Sequence, residues 1–383
     1  MVHSEAIFAP SPAYPSCHAA TIVDLPGGDL LAAWFAGSHE GHPDVGIWLA
    51  RHTGGRWSVP QQVAAEPGVP CWNPVLFRDA GGTLWLFYKV APTIPAWAGV
   101  YIRSHDGGRT WSPPTVLPAG LLGPAKNKPL TLANGDLLCP TSAEAWQTWA
   151  CWVEISCDGG RTWAKHGPVT APEALTPAPL PSGERGDMPR QHMPLSGAGE
   201  GLGRGLECRG GARSKDEPVS ATWDADAREL RLPQEFPGVI QPTVWEYAPG
   251  RLRMLMRSTR RVGAVCASAS DDYGRTWSPA VPTAIPNPNS GLDAVRLADG
   301  RIVLACNPVP EGRTPLSLLV SADNGETWPV RIDLETGEGE YSYPSIIQAA
   351  DGRIHIVYTW RRTTIRHAAL GPNELMQGVI RDA

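Results

Sequence analysis

One eight-residue phrase recurs along this chain and constrains its fold more than any other feature. It stands as Ser104-His-Asp106-Gly-Gly-Arg-Thr-Trp111, Ser156-Cys-Asp158-Gly-Gly-Arg-Thr-Trp163, Ser270-Asp-Asp272-Tyr-Gly-Arg-Thr-Trp277 and Ser321-Ala-Asp323-Asn-Gly-Glu-Thr-Trp328, with a worn copy at His52-Thr-Gly-Gly-Arg-Trp57. A phrase at a steady period is the mark of a repeat architecture. Its chemistry is that of a turn: Ser and Asp side chains hydrogen-bond nearby backbone N–H groups, and Gly supplies the positive φ of a tight hairpin. Each copy follows an alternating run such as Gly99-Val-Tyr-Ile-Arg-Ser104, so each joins two strands. These aspartates are therefore read as turn builders rather than catalytic carboxylates.

The spacing gives the number of units. The closing tryptophans stand at 57, 111, 163, 277 and 328, with gaps of 54, 52, 114 and 51 residues. Roughly 40–50 residues make one four-stranded propeller blade, so the long gap holds one blade and about 60 further residues. Residues 173–215 are rich in Gly, Pro, Arg and Ser, lack aromatics and show no period of two. That composition predicts a loop or disordered insertion rather than a blade. Tyr341-Ser-Tyr-Pro-Ser-Ile-Ile-Gln348 and Arg353-Ile-His-Ile-Val-Tyr-Thr-Trp360 supply a sixth unit. An N-terminal strand is expected to complete it, since closing the ring removes exposed edges. The reading is an all-β, six-bladed β-propeller forming a single domain over 1–383.

Gly 41, Pro 39 and Trp 16 among 383 residues suit short strands joined by tight turns. A net charge of −5 without any basic run argues against a nucleic-acid partner, and no stretch is apolar enough to predict a membrane partner. The opening MVHSEAIFAPSPAYPSCHAATIV lacks the layout of a signal peptide, which predicts a cytoplasmic protein. Eight scattered cysteines without a close pair are expected to be free thiols. His39-Glu-Gly-His42 has two candidate ligands but no third nearby, so no metal is expected.

The phrase resembles the Asp-box of the sialidase (neuraminidase) superfamily, whose members are six-bladed propellers, and the resemblance covers nearly all of the chain outside 173–215. It implies a carbohydrate substrate, no cofactor, and a site at the axial mouth opposite the Asp-box turns. Asp44, ahead of the strand ending in Arg51, takes the place of the family's general acid. Arg257 and Arg313 match two of the three arginines that bind the substrate carboxylate, and Tyr341, in Tyr341-Ser342, matches the nucleophilic tyrosine.

Two places differ. His18 stands where the family carries its first arginine, and Gln241 falls where a glutamate should deprotonate the tyrosine, with Glu246 a possible substitute. Gln cannot take a proton, and imidazole does not replace a bidentate guanidinium. The function expected from the resemblance is an exo-glycosidase hydrolysing a terminal acidic sugar, of sialic or uronic type. Two alternatives stay open: a uronate lyase using His18 and Tyr341, and a glycan-binding propeller without turnover. Bland readings accompany these residues: Asp44 as a turn cap, and His18 and Tyr341 as core. Lys126, Lys128, Asn289 and Trp72 are further candidates for substrate binding, although Lys126-Asn-Lys128 also reads as a solvated turn. Trp97 is a candidate acceptor aromatic, and Arg361-Arg362 reads as a surface pair.

Overall fold

The computed structural model describes residues 4–171, 222–224, 229–231, 236–377 and 379–380. Six sheets of four or five antiparallel strands succeed one another along the chain and form a six-bladed propeller. We number the blades by the strand that begins each: Ser16–Asp24, Cys71–Arg78, Leu130–Thr131, Val239–Ala248, Asp293–Arg296 and Tyr341–Gln348. Among the described residues the helical turns are two short 3-10 segments, Ile94–Ala96 and Glu374–Gln377. The propeller belongs to a compact unit of residues 1–173 and 234–383. Within 174–233, Thr222–Asp224 and Glu229–Arg231 pair as a two-stranded ladder. The expected insertion at 173–215 lies outside the described residues.

Ring closure follows the expectation. Ser4–Ala6 pairs with Thr364–Leu370 as the outermost strand of blade 6, so the first strand of the chain completes the last sheet. Between neighbouring blades lie six apolar clusters. Ala33, Phe35 and Ile47 meet Leu76, Leu86 and Ile102 between blades 1 and 2. Leu138 and Val153 meet Val244 and Met254 between blades 3 and 4. Burial of these branched side chains, at roughly 25 cal/mol per Å² of apolar surface, holds the blades together.

The Asp-box turns dock each blade onto the one before it. In the first full copy, Ser104 Oγ donates to Asp106 Oδ1 at 2.7 Å, Gly108 N donates to Ser104 Oγ at 2.8 Å, and Thr110 Oγ1 donates to Asp106 Oδ2 at 2.6 Å. The Gly of this copy that matches Gly160, Gly274 and Gly325 has φ +80°, and a Cβ there would come 2.8 Å from Leu31 of blade 1. Gly160 meets Trp85 in the same way, at 2.7 Å. Both the backbone angle and the close approach require glycine.

The mouth is shaped by a second repeated device. Inner strands of blades 1, 2, 4 and 6 each shift register between His18 and Thr21, Trp72 and Val75, Ile240 and Thr243, and Ser342 and Ser345. Each bulge contains a non-glycine residue at positive φ: Ala19 (56°), Asn73 (34°), Gln241 (52°) and Tyr343 (53°). In three of the four, proline follows it. A bulge re-aims one side chain out of the alternating pattern, and bulges of this kind gather at sites.

Candidate functional site

Three of the bulged residues, Asn73, Gln241 and Tyr343, line a cavity of about 170 Å³ at the axis. Arg257, Arg313, Arg362, Glu40, Glu144, Ile94, Trp97 and Trp149 complete its wall. The ring topology thus brings side chains from blades 1, 2, 3, 4, 5 and 6 to one place.

Tyr343 is the centre. Its Oη accepts from Arg257 Nη1 at 2.5 Å and from Gln241 Nε2 at 3.1 Å, while Gln241 Oε1 accepts from Arg257 Nη1 at 3.1 Å. Asn289, itself at φ 61°, fixes the far side of the guanidinium by accepting from Arg257 Nε at 2.7 Å. The guanidinium carbons of Arg257 and Arg313 lie 5.6 and 5.7 Å from the Tyr343 ring centre. The third arginine is Arg362, at φ 59° in the turn after Trp360. It donates from Nε to Glu340 at 3.0 Å and from Nη1 to Glu40, and its carbonyl accepts from Cys17 N of blade 1. Burial pulls the Glu340 carboxyl upward, but Arg362 and Arg313 outweigh it and hold it below its ordinary value.

Tyr341 stands elsewhere. It is 2% exposed, packs with Leu297, Ile346 and Tyr358, and donates its hydroxyl to the Glu338 carbonyl at 3.0 Å. The tyrosine that lines the cavity is Tyr343, two residues on, because the bulge turns that ring towards the axis. Asp44 also stands apart from the lining. Its carboxylate accepts from Ser38 N at 3.0 Å and Ser38 Oγ at 2.6 Å and lies 2.8 Å from His42 Nδ1, so it closes the 38–44 loop on itself. Burial acts in the opposite direction, yet these bonds keep the Asp44 carboxyl below its ordinary value. Glu40, on the same loop, reaches the cavity instead.

His18 is buried behind Tyr343, with ring centres 4.0 Å apart and Nδ1 2.9 Å from Thr359 Oγ1. Burial, then Arg362, Arg313, Arg257 and Lys126, push its pKa well below the ordinary value, so the imidazole is neutral at neutral pH. Gln241 stands beside Tyr343 rather than Tyr341, its expected partner. Glu246 does not substitute: its carboxylate accepts from Ala133 N and Gly250 N, at the other end of the strand.

Lys126 and Lys128 are neither a sugar-binding loop nor a solvated turn. Lys126 Nζ donates to Asn127 Oδ1 at 2.9 Å, Leu292 O at 3.1 Å and Pro344 O, which saturates its three donors. Burial draws this amine down to about 7, yet the three acceptors favour its charged form. Lys128 Nζ pairs with Asp293 at 2.8 Å, and Asp293 also accepts from Thr243 Oγ1 and Ile346 N. Lys126-Asn-Lys128 is a buried polar axle joining blades 3, 4, 5 and 6. Trp72 is likewise buried, donating to Ala91 O at 2.8 Å beneath Trp97.

Sequence reasoning missed Tyr343, Arg362, Glu40 and Glu144. One signal marked the first of these: Asn73-Pro, Gln241-Pro and Tyr343-Pro recur near the heads of inner strands. Arg362 carried no such mark, because its turn contains no glycine or proline.

The sequence profile of the BNR repeat-like domain matches residues 28–188 and 210–356. The chain belongs to that family. It is 24% identical over 313 residues to a sialidase of Micromonospora viridifaciens, covering 70% of this chain and 45% of that protein. The chain thus spans about half the length of that curated relative. In fold it is similar to a Hadza microbial sialidase, with a TM-score of 0.67 at 17% identity over 97% of this chain and 69% of that one. A protein of unknown function from Dyadobacter fermentans gives a TM-score of 0.68 at 16% identity, covering 96% and 97% of the two chains. These likenesses show the sialidase-type propeller fold.

Proposed function

We propose that this BNR repeat-like propeller is an exo-acting glycoside hydrolase that removes a terminal sugar bearing a carboxylate, of sialic or uronic type. One observation carries the reading: Arg257, Arg313 and Arg362 converge from three segments on a single cavity around the Tyr343 phenol. Guanidinium forks suit a planar carboxylate better than any other donor set. Arg362 supplies the third fork where the chain has His18 in place of the family's first arginine.

In this mechanism the arginines hold the sugar's carboxylate, which sits on the anomeric carbon of a sialic acid and on C5 of a uronic acid. The bond from the anomeric carbon to the glycosidic oxygen breaks, the phenol oxygen of Tyr343 faces the developing cation, and water adds its oxygen to the carbon and gives up a proton. The leaving oxygen takes a proton from a protonated carboxyl of the wall, Glu144 or Glu40, and the resulting carboxylate takes back the proton that the water loses. Arg257 and Gln241 aim two donors at Tyr343 Oη and stabilise negative charge developing there.

A second reading is favoured by one feature, the amide of Gln241 standing beside Tyr343 Oη where a carboxylate base would serve a tyrosine nucleophile. In β-elimination from a uronate, the C–H next to the carboxylate gives its proton to Tyr343 ionised as phenolate, the arginines stabilise the enolate, and the glycosidic bond at the β-carbon breaks as its oxygen takes that proton from Tyr343. Incubating the protein with sialylated oligosaccharides, with oligosaccharides ending in a uronate, and with oligosaccharides whose uronate carries a further sugar at C4, and weighing the products, separates the two. Addition of one water across the cleaved bond supports hydrolysis, and an unsaturated sugar without added water supports elimination. Absence of any product from every acidic glycan defeats both.

A further inference from the structure

The three guanidiniums of the cavity are not equivalent. Arg257 is bound by the neutral groups of Asn289, Gln241 and Tyr343. Arg313 and Arg362 share Glu340, which also accepts from Ser342 Oγ at 2.9 Å and is thereby fixed to its own strand. Arg362 carries one more carboxylate, Glu40, which arrives from blade 1 on the 38–44 loop. The side chains of this pair are 36% and 29% exposed, and Gly41, at φ +81°, adjoins Glu40. The base of the loop is closed by Asp44 on Ser38, so Glu40 projects from an anchored hairpin.

Resting on the reading of this cavity as a carboxylate site, we infer that Glu40 is a specificity gate. It occupies on Arg362 the place that a substrate carboxylate takes, and only an anionic sugar displaces it. A carboxylate that replaces Glu40 restores a charge-assisted bond to Arg362. The hydroxyl of a neutral sugar offers a bond about half as strong and leaves a partly buried ion pair broken. Rejection of neutral sugars is thus built in as a competing contact rather than as a missing one. Displacement also leaves the Glu40 carboxyl at the rim of the occupied cavity, free of Arg362, where it can take up a proton and pass it to the leaving oxygen.

Calorimetric titration tests this with four probes: glucuronic acid, N-acetylneuraminic acid and the neutral methyl ester of each. The wild type is expected to bind the acids and reject the esters. Glu40→Gln is expected to bind the esters roughly tenfold tighter than the wild type does, narrowing the preference for acids. Hydrogen exchange of the 38–44 segment supplies a readout independent of the sugar. In unliganded Glu40→Gln it should rise to the level that the wild type reaches with saturating acid. An unchanged acid-to-ester ratio, or unchanged loop exchange, overturns the gate. Binding that depends on Arg362 but is indifferent to Glu40 removes the gate and leaves the carboxylate site standing. Failure of every acidic probe to bind either protein removes the site reading and the gate with it.

Discussion

The two faces of this propeller treat carboxylates in opposite ways. On the Asp-box face, Asp106, Asp158, Asp272 and Asp323 each accept the same bonds from the Ser two before and the Thr four after, within one turn. For Asp106 and Asp158, the Thr bonds, followed by the Ser bond, hold the carboxyl well below its ordinary range. At the mouth the carboxylates serve neighbours: Glu340 binds Arg313 and Arg362, and Glu40 crosses from blade 1 to blade 6. A contact repeated in every blade is scaffold. The carboxylates of the mouth instead reach arginines of other segments.

The largest expected effect sharpens that contrast within one strand. Tyr343→Phe should lower kcat/KM by a factor on the order of 10³ or more, as for loss of a group acting on the reacting atoms. Tyr341→Phe should leave turnover within a few-fold and show its effect in thermal melting, because it loses only the bond to the Glu338 carbonyl. Equal losses in both variants would break the distinction between the two tyrosines.

The axle between the faces should respond in stability. Asp293→Ala removes the buried partner of Lys128 and should cost about 3–5 kcal/mol in denaturant unfolding. A cost near zero would mean that the polar axle is dispensable.

A pH effect is expected away from the mouth. His355 Nδ1 and His367 Nε2 lie 3.0 Å apart between blades 6 and 1, beside Glu5, and burial, then His355, push His367 down to about 4. A histidine depressed in the folded state adds stability above its unfolded value, and that stability is lost as pH falls from about 6.5 towards 4. Melting temperature should decline through that window, and His367→Gln should flatten the decline. A variant that follows the wild-type curve would assign the loss to other groups.

The smallest effect is expected in a single Asp-box. Asp106→Asn should lower the melting temperature slightly and leave kcat/KM unchanged, since its bonds stay within the turn.

The contrast also explains what was legible in the sequence. Repetition is visible in a linear chain, so the Asp-box phrase and its period led to the six blades and to closure by the first strand. Arg257, Arg313 and Gln241 were legible because the resemblance supplied their order. Tyr343 was passed over because Tyr341-Ser342 fitted the motif by letters, whereas the bulge at Tyr343, set before Pro344, decides which ring faces the axis. Arg362 and Glu40 owe their roles to an ion pair between residues 322 positions apart. Nothing local to either residue signals such a pair. The same holds for Lys126, whose acceptors at Leu292 and Pro344 exist only once the ring has closed.

In the proposed function the mouth binds a sugar carboxylate on three arginines around Tyr343. The most direct measurement is mass analysis of the products from a matched pair of glycans, one ending in an acidic sugar and one in its neutral methyl ester, with the wild type and Arg362→Ala. The account predicts release of the acidic sugar by the wild type, no release of the ester, and loss of the acidic activity in Arg362→Ala. Cleavage of both glycans alike, or full activity without Arg362, would contradict it.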